Sequence, residues 1–549
     1  MLKQSLIATA VALLAAACTL QPKYERPAAP VTSTFPEGGV YANQPDASST
    51  ASNGRTANGQ TAPDIGWRDF FADARLQRIV ELALKNNRDL RVSVLNVEAS
   101  RAQYQITRAA LFPAIDASAS QSKQRTPKNL SFFGQTISNQ YSVGLNASWE
   151  IDFFGRIRSL KDQALAQYLA TAEARKAAEL SLVSSVADQY LTMLAFDDLL
   201  TVTRNTLKTS EESYRITQLQ YDNGVGSELD VRQAEGIVEQ ARANLQTEMR
   251  FRAQAENALV LLVGEPLPDD LPPGMPLDNQ NVLSDIPAGL PSDLLTRRPD
   301  IAAAEQTLLA ANANIGAARA AFFPRVTLTG GFGTLSPTLG GLFKPGSAAW
   351  SFAPQISVPI FEGGANVANL DLAQVQKRIE IANYEKTIQN AFREVADGLA
   401  ARGTFDDQIK ALERFVSSQS RRLDLSDLRY RNGVDSYLAV LTAQTDLYDA
   451  QQLLINARLQ RLTNLVDLYQ FLGGGWIERS GDQPRPADAP VDYGSTPPAA
   501  PAAGASAPAA SAAAGAPRAS VPKLTPVEQL PRKGAAPQAE ATARTSAPG

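Results

Sequence analysis

The stretch that decides the fold runs from Pro359 to Trp476. It opens PIFEGGANVANLDLAQVQ, passes through YRNGVDSYLAVLTAQ and closes FLGGGW. About 65 residues without a cluster of Pro or Gly separate Gly364 from Tyr430, and as one helix they would span roughly 100 Å. Asn432-Gly433 then predicts a turn into a second long helix. Helices of globular proteins average three or four turns, so this length indicates a coiled coil or an elongated scaffold.

The same pattern occurs twice in the chain. YDNGVGSELDVRQAE, which begins at Tyr221, aligns with YRNGVDSYLAVLTAQ, which begins at Tyr430, an offset of 209 residues. RAALFP and RAAFFP recur at a similar offset of 211. So long a period indicates duplication of one unit and not a solenoid of short repeats. We therefore predict two structural repeats, 67–285 and 286–477, each with helices, two strands and a helical hairpin.

The composition argues against catalysis and metal binding. The chain of 549 residues has no His, one Cys and four Met, which removes histidine-based triads, imidazole bases and the usual zinc sites. No motif supports a carboxylate or lysine enzyme. We therefore expect no enzymatic activity, no metal and no cofactor. A formal net charge of −4 also offers no basic surface for nucleic acid.

The N-terminus predicts export. Residues 1–17 combine Lys3 with a short apolar segment of small residues, the pattern of a secretory signal and too short for a transmembrane helix. Cys18, the only cysteine, stands where bacterial lipoproteins carry the acylated cysteine, although Ala15 replaces the more usual Leu. The alternative is a signal that contains a cysteine by chance. We predict a signal peptide over 1–17 and a covalent lipid, such as palmitate, on Cys18, at the start of an extended segment over 18–66.

Two regions alternate with a period of two. In the first half the apolar positions are Tyr141, Val143, Leu145, Ala147, Trp149 and Ile151. In the second half they are Val326, Leu328, Gly330 and Phe332, followed by Phe352, Ile356, Val358 and Ile360. We predict two strands within 113–152 and two within 324–361. A soluble sheet with one face in the core is one interpretation. The other is a membrane barrel, which must close because lipid cannot satisfy a sheet edge, and which would then need strands from several subunits.

The long helices carry a matching signal. Val231, Ala234, Val238, Ala241 and Leu245 step by three and four residues, and so do their equivalents Val440, Ala443, Leu447, Ala450 and Leu454. This is the spacing of helices that pack along one narrow face. The opposite face stays polar, so a ring of such helices would enclose a water-filled tunnel.

Other segments have a structural interpretation. Periodicity predicts amphipathic helices over Trp67–Leu84 and Asp89–Leu111. In Arg297-Arg298-Pro299-Asp300, Pro and an acidic residue in the first turn predict a helix start. Gly264 followed by Pro266 predicts a helix end. The Ala-, Pro- and Ser-rich stretch 478–549 cannot form a core, so we predict a disordered tail.

Residues from about 67 to 476 resemble the outer-membrane factor family of TolC-like channels, and among them the NodT-type efflux lipoproteins. The resemblance rests on five motifs: YERP from Tyr24, RRPDIAAAEQTLLAANANIGAARAAFFPRVTLTG from Arg297, VPIFEGG from Val358, NAFREVADGL from Asn390, and YRNGVDSYLAVLTAQ from Tyr430. It implies a mainly α chain with membrane β strands. Three copies would form a homotrimeric twelve-stranded β-barrel, continued by a long α-helical periplasmic tunnel, in the outer membrane of a Gram-negative bacterium.

The resemblance also implies a function and partners. The protein would be the passive exit duct of a tripartite efflux system for drugs or other small molecules. An inner-membrane pump, proton-driven, would deliver them through a periplasmic adaptor (membrane fusion) protein. The alternatives are the exit duct of an ABC-driven type I protein secretion system and, less compatible with the strands, a coiled-coil envelope scaffold. The adaptor would contact the hairpin tips at Asn223, Gly224, Ser227, Asn432, Gly433 and Ser436.

The same resemblance implies a periplasmic gate beside these tips. Tyr430 matches a tyrosine that bonds an aspartate on the neighbouring hairpin, and Asp230 matches that aspartate, although it could instead be a solvated carboxylate at a helix start. Leu438 matches a leucine ring that narrows the pore. Asp435 replaces an arginine that links subunits in TolC, and Ala439 and Thr442 replace acidic rings of relatives. The predicted gate residues are Asp230, Tyr430, Asp435, Leu438 and Thr442.

Overall fold

The computed structural model describes residues 19–36, 38–41, 61–125, 127, 137–280, 282–283 and 295–489. The first half contains α1 (Trp67–Phe70), α2 (Ala74–Asn86), α3 (Arg88–Ala109), β1 (Ala114–Arg125), β2 (Ile137–Ile151), α4 (Arg156–Asp222) and α5 (Glu228–Val263). The second half contains α6 (Pro299–Ala320), β3 (Arg325–Ser336), β4 (Ala348–Ser357), α7 (Ala365–Arg431) and α8 (Tyr437–Phe471). The predicted signal peptide, 1–17, and Cys18 lie outside the described residues.

The two halves repeat one order of elements. Each has a helix of 22 residues, two strands, a helix of 67 residues and a last helix of 36 or 35 residues. The prediction of a single helix between Gly364 and Tyr430 is confirmed by α7. At 1.5 Å per residue, α4 and α7 are each roughly 100 Å long. The internal duplication inferred from the sequence is therefore present in the structure.

The long helices pair as two hairpins. Helix α4 packs against α5, and α7 packs against α8, while α8 also contacts α4. Seven of the ten predicted heptad positions are buried, among them Val231 and Val440, whereas Leu245, Leu447 and Leu454 are only partly buried. No helix of the described residues is both long and apolar enough to cross a membrane. The helices therefore bury a narrow apolar stripe and keep polar outer faces.

The predicted helix ends beside Gly264 and Pro299 are confirmed. Helix α5 stops at Val263, and Gly264 has a φ of +82°, where a Cβ would lie 2.5 Å from the carbonyl oxygen of Asn86. Only glycine fits this position. Helix α6 begins at Pro299, with the preceding Arg298 side chain donating to Asp300 Oδ1 at 2.9 Å. The RRPD motif is therefore structural.

The predicted helix over Trp67–Leu84 is wrong in one respect: it is two helices. Residues 71–73 leave the helical conformation, and Asp73 caps the start of α2 by accepting a bond from Arg75 N at 2.8 Å. Capping by the Asp side chain competes with a continuous helix. At this break the backbone of Phe71 also forms an isolated antiparallel β-bridge with Val282.

The largest hydrophobic core lies midway along the molecule. It joins α1, α2, α4, α5, α7 and α8 through fully buried side chains such as Phe70, Ile79, Tyr190, Leu259 and Val466. The rings of Phe70 and Tyr469 stack with centroids 4.0 Å apart. The core includes residues from the middle of both 67-residue helices, from Leu182 to Leu199 in α4 and from Tyr384 to Leu399 in α7.

The four strands form one antiparallel sheet in the order β1-β2-β3-β4. The two halves thus contribute neighbouring pairs to a single sheet. The strands fall within the predicted ranges, but β4 ends at Ser357. Val358 and Ile360, which we grouped with this strand, therefore lie beyond it. The reason is Pro359, which has no N–H to donate to a ladder.

The predicted extended N-terminal segment is bound to the helices over its described part. We call residues 19–36 the N-terminal strap. The carbonyl oxygen of Leu20 accepts from Arg319 Nη1 at 3.2 Å, near the end of α6. Further along, Arg26 forms a bidentate pair with Glu305, with both N–O distances 2.7 Å. Phe35 then stacks on Phe392 of α7. The strap thus follows α6 and reaches α7.

The start of the predicted disordered tail is instead docked. Over residues 478–489 the chain lies on α4, where Arg485 pairs with the buried Glu179 and the Tyr168 hydroxyl donates to Asp488. Arg485 also lies over the Trp476 ring, 4.7 Å from its centroid. Composition alone missed these contacts because they depend on single charged residues and not on a hydrophobic pattern. The rest of the predicted tail, 490–549, lies outside the described residues.

Candidate functional site: the sheet and the hairpin tips

One face of the sheet carries apolar residues on all four strands, although β1 continues on that face with Gln121, Lys123 and Arg125. Residues paired across antiparallel strands point to the same face, and the register aligns Ala117, Leu145, Phe332 and Trp350 in one row. Leu145, Phe332 and Trp350 are 55%, 69% and 79% exposed. A contiguous exposed apolar surface of this kind is costly in water and marks an interaction or membrane surface. It has the aromatic and branched residues of a lipid-facing sheet.

The opposite face is polar and lined by small residues. The register aligns Asp116, Asn146, Gly331 and Ser351 in one row. Side chains bond across it: the Ser120 and Ser142 hydroxyls are 2.7 Å apart, and Asn146 Nδ2 donates to Ser118 Oγ at 2.8 Å. Small hydroxyl and amide groups leave room for water beside the sheet. The sheet therefore separates an apolar medium from a polar one.

The hairpin tips are where the sequence predicts them. The first turn spans 223–227 and the second 432–436, with positive φ at Gly224 (75°) and Gly433 (71°). Ser227 caps α5 by accepting from Asp230 N at 3.2 Å. The predicted contact residues Asn223, Asn432 and Ser436 occupy the same two turns. Contact with an adaptor stays a prediction.

Apolar side chains project at both tips. Val225 is 79% exposed and Val434 is 60% exposed. Because the two valines stand at equivalent positions, 209 residues apart, both tips present the same kind of apolar group beside an Asn-Gly turn. Such exposed apolar groups at the end of a long hairpin suit contact with another protein.

Tyr430 has a different partner from the one that the family resemblance implies. Its hydroxyl donates to Gln220 Oε1 at 2.7 Å. Asp230 instead accepts from the Ser227 hydroxyl at 2.9 Å within its own tip. Asp230 is still near enough that its charge, after the larger effect of burial, raises the pKa of Tyr430. The structure thus brings the two residues to one region, while their joint role in a gate stays a prediction.

Asp435 forms a local ion pair. Arg429 donates to both of its carboxylate oxygens, with a distance of 2.9 Å to Oδ1. The bond from Arg429 lowers the pKa of Asp435, so the carboxylate is charged. Asp435 therefore stands at the position where TolC has an arginine. Its own arginine partner, Arg429, lies in the last helical turn of α7, in the same hairpin.

Leu438 and Thr442 share an outward face of α8. Leu438 is 57% exposed, and Thr442, one turn later, is also exposed and donates to the Leu438 carbonyl oxygen at 2.9 Å. Both side chains therefore remain available to a pore or to another subunit. A role of Leu438 in narrowing a pore is compatible with this position and stays a prediction.

Sequence reasoning missed a line of polar residues on α4. Four hydrogen bonds join this helix to the second hairpin. Two are between hydroxyls, Thr203 with Tyr448 and Ser213 with Tyr437, and in the other two Gln444 donates to Ser210 and Tyr430 donates to Gln220. The signal was available, since small polar residues recur on α4 at intervals of seven, three, four and three when Thr217 is included. A search limited to apolar heptads overlooks such a pattern.

The described part of the chain contains no group of three or more His, Cys, Asp or Glu arranged to hold a metal ion. Its polar clusters consist of ion pairs and neutral hydrogen bonds. The arrangement can separate two media and hold two hairpins in register, which are the properties of a channel.

Comparison with known proteins identifies the class. The profile described as outer membrane efflux protein matches residues 79–265 and 290–474, one range in each half. These ranges cover more than half of the chain, which belongs to the outer membrane efflux protein family.

Particular relatives agree with this assignment. The chain is 48% identical over 481 residues to the toluene efflux pump outer membrane protein TtgC of Pseudomonas putida, covering 87% of this chain and 97% of the relative. The antibiotic efflux pump outer membrane protein ArpC of Pseudomonas putida has the same identity and coverage. Among solved structures, the open-state MtrE outer membrane channel of Neisseria gonorrhoeae is 42% identical, with a TM-score of 0.75, over 85% of this chain and 100% of that one.

These findings confirm three predictions. The fold class is that of the family's channels, with long helices and a four-stranded sheet. The protein is an outer-membrane component of an efflux system, and its location is the outer membrane of a Gram-negative bacterium. The relatives TtgC and ArpC are named as outer membrane proteins of efflux pumps.

Proposed function

We propose that three copies of this chain form the passive exit duct of a tripartite efflux system for small molecules. The observation that carries the proposal is the two-faced sheet, exposed on both faces in one chain. A sheet with an apolar face and a small, polar face is built to line a water-filled barrel in lipid. The duct itself performs no chemistry, so the pump supplies the energy of transport.

The sheet edges support assembly of several copies. In the described chain β1 pairs with β2 and β4 pairs with β3, so β1 and β4 are the two edges. An open edge cannot lie in lipid because its backbone N–H and C=O groups would lack partners. Pairing of β4 in one copy with β1 in the next satisfies both edges. Three copies give a twelve-stranded barrel large enough for an aqueous path.

The cargo class follows from the sheet and the relatives. The polar face carries mainly Ser, Asn, Thr and Gly, with a few charged residues such as Asp116 and the Arg325–Glu150 ion pair, and such a mixed surface does not favour one compound. TtgC and ArpC are named for toluene and antibiotic efflux pumps. We propose that this duct likewise passes drugs or other small organic molecules, with selection made by a proton-driven inner-membrane pump. An ABC-driven protein secretion duct is the alternative.

The N-terminal strap supports a lipid on Cys18. Leu20, two residues later, is held by Arg319 at the end of α6. Because β3 begins at Arg325, this contact lies at the membrane end of the helices. A strap fixed there lets an acyl chain on Cys18 enter the same membrane that holds the sheet.

The tips support contact with an adaptor and a gate. Val225 and Val434 give each tip an apolar group with turn residues around it, and an adaptor would bind both hairpins there. We propose that the gate lies immediately above, where Leu438 and Thr442 point away from the rest of the chain. The turns beside the gate would be fixed by the hydrogen bonds and the ion pair of Asp230, Tyr430 and Asp435.

A cross-linking experiment tests the proposal. A photo-reactive residue would replace Ser227 or Ser436 in the native host, with captured proteins identified by mass spectrometry. We expect a periplasmic adaptor encoded with a proton-driven pump. An adaptor of an ABC exporter would favour protein secretion, and no adaptor at either tip would contradict the tunnel. The matched control places the same residue at Gln246, an exposed position of α5 far from the tip.

A further inference from the structure

The last described residues of the chain make a separate contact with α4. After Trp476 the backbone first passes α1, where Arg68 N donates to the carbonyl oxygen of Glu478 at 3.1 Å. A loop over residues 481–484 follows. Residues 485–489, which we call the C-terminal clip, then lie on α4 through the side-chain contacts described below. The loop thus separates the clip from the pairing with α1.

The clip contacts two buried charged side chains of α4. Arg175, which is 1% exposed, donates through Nη1 to the carbonyl oxygen of Ala487 at 3.1 Å and also to that of Ala489. Glu179, which is 5% exposed and lies one turn further along α4, accepts from the Arg485 side chain. A buried charge is costly unless it is paired. Helix α4 therefore offers a cation to peptide carbonyl groups and an anion to an arginine side chain.

Two aromatic residues complete the contact. The Tyr168 hydroxyl donates to Asp488, and burial, together with that carboxylate, raises the pKa of Tyr168 to about 12, so the hydroxyl stays protonated. Trp476 Nε1 donates to the carbonyl oxygen of Arg485 at 3.2 Å, and the Arg485 guanidinium lies over the Trp476 ring, an attractive arrangement of a cation on an aromatic face. We call the four side chains that hold the clip the clip site: Tyr168, Arg175, Glu179 and Trp476.

The clip has a defined shape and sequence. Ala489 N donates to the carbonyl oxygen of Pro486 at 3.0 Å, which closes a turn over residues 486–489. Arg485 immediately precedes this turn, and Asp488 is its third residue. The clip site thus binds one arginine, one aspartate and the backbone carbonyl groups near them. These are the features by which a protein recognises a short peptide.

The clip lies on the surface and is not part of the core. Arg485, Pro486 and Asp488 are exposed, although the α4 side chains beneath them are buried. A cavity of about 590 Å³ adjoins the contact, with Lys85 and Glu179 among the residues that line it. Core segments are closely packed on all sides. A surface segment that adjoins a cavity can instead leave without unpacking the core.

We propose that the clip site is a peptide-binding site for a turn that has an arginine before it and an aspartate as its third residue. The chain's own residues 485–489 occupy this site in cis, and they leave and rebind as a unit. This assignment goes beyond the duct function and does not depend on it.

The empty site has its own way to satisfy its charges. Arg175 and Glu179 are four residues apart on α4, the spacing at which opposite charges on a helix pair. The charge of Arg175 already acts on the Glu179 carboxylate, against the larger effect of burial, which raises the pKa of Glu179. When the clip leaves, these two side chains can pair with each other, so release does not leave two isolated buried charges.

The occupied site fixes where the end of the chain leaves the body. Tyr168 is twelve residues, roughly 18 Å, from the start of α4 at Arg156, and β2 ends at Ile151 just before that helix. With the clip bound, the chain continues into residues 490–549 from the end of α4 that adjoins the sheet. With the clip released, it continues from the loop at 481–484 beside α1. Binding at the clip site thus selects one of two starting points for the rest of the chain.

Peptide binding to the full-length protein tests the site. A fluorescent peptide of residues 478–489 would be added to the variant Arg485→Ala/Asp488→Ala, whose own clip lacks both recognised side chains. We expect fluorescence anisotropy to show binding at least tenfold tighter than to the unaltered protein, because there the bound clip competes at a high effective concentration. Adding Tyr168→Phe to the variant should weaken binding of the peptide about tenfold, the effect of losing one hydrogen bond to a charged group.

Two controls match this test. Arg479→Ala/Asp482→Ala removes the same two residue types from the same segment, where Arg479 N donates to Asp482 Oδ2 within the segment itself. That variant keeps its clip and should bind the peptide as weakly as the unaltered protein does. A second peptide that carries Arg485→Ala and Asp488→Ala should bind to none of the proteins. Assembly of every variant would be checked on gels.

A photo-reactive residue in place of the exposed Pro486 identifies the occupant of the site. We expect it to cross-link to α4 of the same chain, so that denaturing gels show single chains and mass spectrometry finds the joined peptides. A cross-link between two chains would show that a second copy supplies the clip, and it would overturn occupation in cis.

The peptide measurements decide the assignment itself. Equal binding to the Arg485→Ala/Asp488→Ala variant, the control variant and the unaltered protein would overturn it, and so would binding to none of them. Equal binding of the two peptides would also overturn it, because recognition would then not depend on the arginine and the aspartate. Each of these results would leave the duct function standing, since none of them concerns the sheet or the hairpin tips.

Discussion

The hydroxyl of Tyr190 donates to Asp73 Oδ2 over 2.8 Å, and this bond ties the middle of α4 to the start of α2. The same carboxylate oxygen accepts from Met275 N and Gln280 Nε2, both at 3.0 Å. Asp73 is 1% exposed. One buried carboxylate thus connects the first helices, the long helix α4 and the segment after α5.

We expect Asp73→Ala to lower the free energy of unfolding by about 3 kcal/mol, because several buried donors lose their acceptor at once. Tyr190→Phe removes one of these bonds and should cost about 1 kcal/mol. Chemical denaturation of the purified protein in detergent would measure both. Equal effects of the two variants would contradict the central role of Asp73.

The strap gives a second prediction. Arg26→Ala breaks the bidentate pair with Glu305, a contact half-exposed on the arginine side and worth up to about 1 kcal/mol. We expect faster hydrogen exchange and proteolysis over residues 19–36, with little change in the core. Lys23→Ala removes a charge from the same strap and serves as the control. A strap equally protected in Arg26→Ala would show that other contacts hold it.

The sheet gives a third prediction. A Cβ at Gly333 would lie 2.2 Å from the carbonyl oxygen of Val143, so Gly333→Ala should disturb pairing of β2 with β3 and reduce assembly. At Gly330 the nearest atom would be 3.6 Å away, and Gly330→Ala should be tolerated. The yield of assembled protein in outer-membrane fractions distinguishes them. Similar yields would mean that the strands shift to accommodate the side chain.

The gate gives a fourth prediction. Leu438→Ala should widen the resting aperture and raise resting conductance, because a branched side chain is removed from the outward face of α8. Leu453, on the same helix and 53% exposed compared with 57% for Leu438, provides the control Leu453→Ala. Antibiotic leakage into cells is the second readout. Unchanged conductance and leakage would exclude Leu438 from the constriction.

A buried acid gives a fifth prediction, on pH. Burial, with a smaller effect of Asp467, raises the pKa of Asp188 to about 8, compared with about 4 in an unfolded chain. The folded chain binds this proton more tightly, so the associated stability is complete below pH about 4 and is lost as pH rises through about 8. Asp188→Asn is neutral throughout, so its Tm relative to the unaltered protein should be higher at pH 9 than at pH 5. The same Tm difference at both pH values would contradict a raised pKa.

Much of the fold could be predicted because its signals are long and periodic. The interval between Gly364 and Tyr430, free of helix breakers, predicted α7, and the repeated motifs transferred that prediction to α4. Alternation located the strands, since a period of two differs sharply from a helical period. The break at Asp73 was missed because one capping side chain overrides a good helical pattern. The docking of segment 478–489 was missed because single ion pairs produce no periodic pattern in the sequence.

The candidate site was predicted only in part. The turns at Asn223 and Asn432 follow from local chemistry, and the structure places them as expected. The hydrogen-bond partner of Tyr430 does not follow from local chemistry. The choice between Gln220 and Asp230 depends on how helices more than two hundred residues apart in the chain are rotated against each other. The polar residues that α4 turns toward the second hairpin do recur at helical spacing, but their partners could not be predicted, since each of the four hydrogen bonds joins residues from different halves.

The sequence by itself thus determined the elements: helix lengths, strand positions, turns and the duplication, all of which arise from interactions between neighbours in the chain. Only the tertiary structure decided which faces meet. The order β1-β2-β3-β4 places the exposed side chains of Leu145, Phe332 and Trp350 next to one another in one row. The packing of α4 on α8 buries Ser210 against Gln444. Periodicity defines a face on each element, but contacts between distant residues require the relative position of the elements, which packing of the common core fixes.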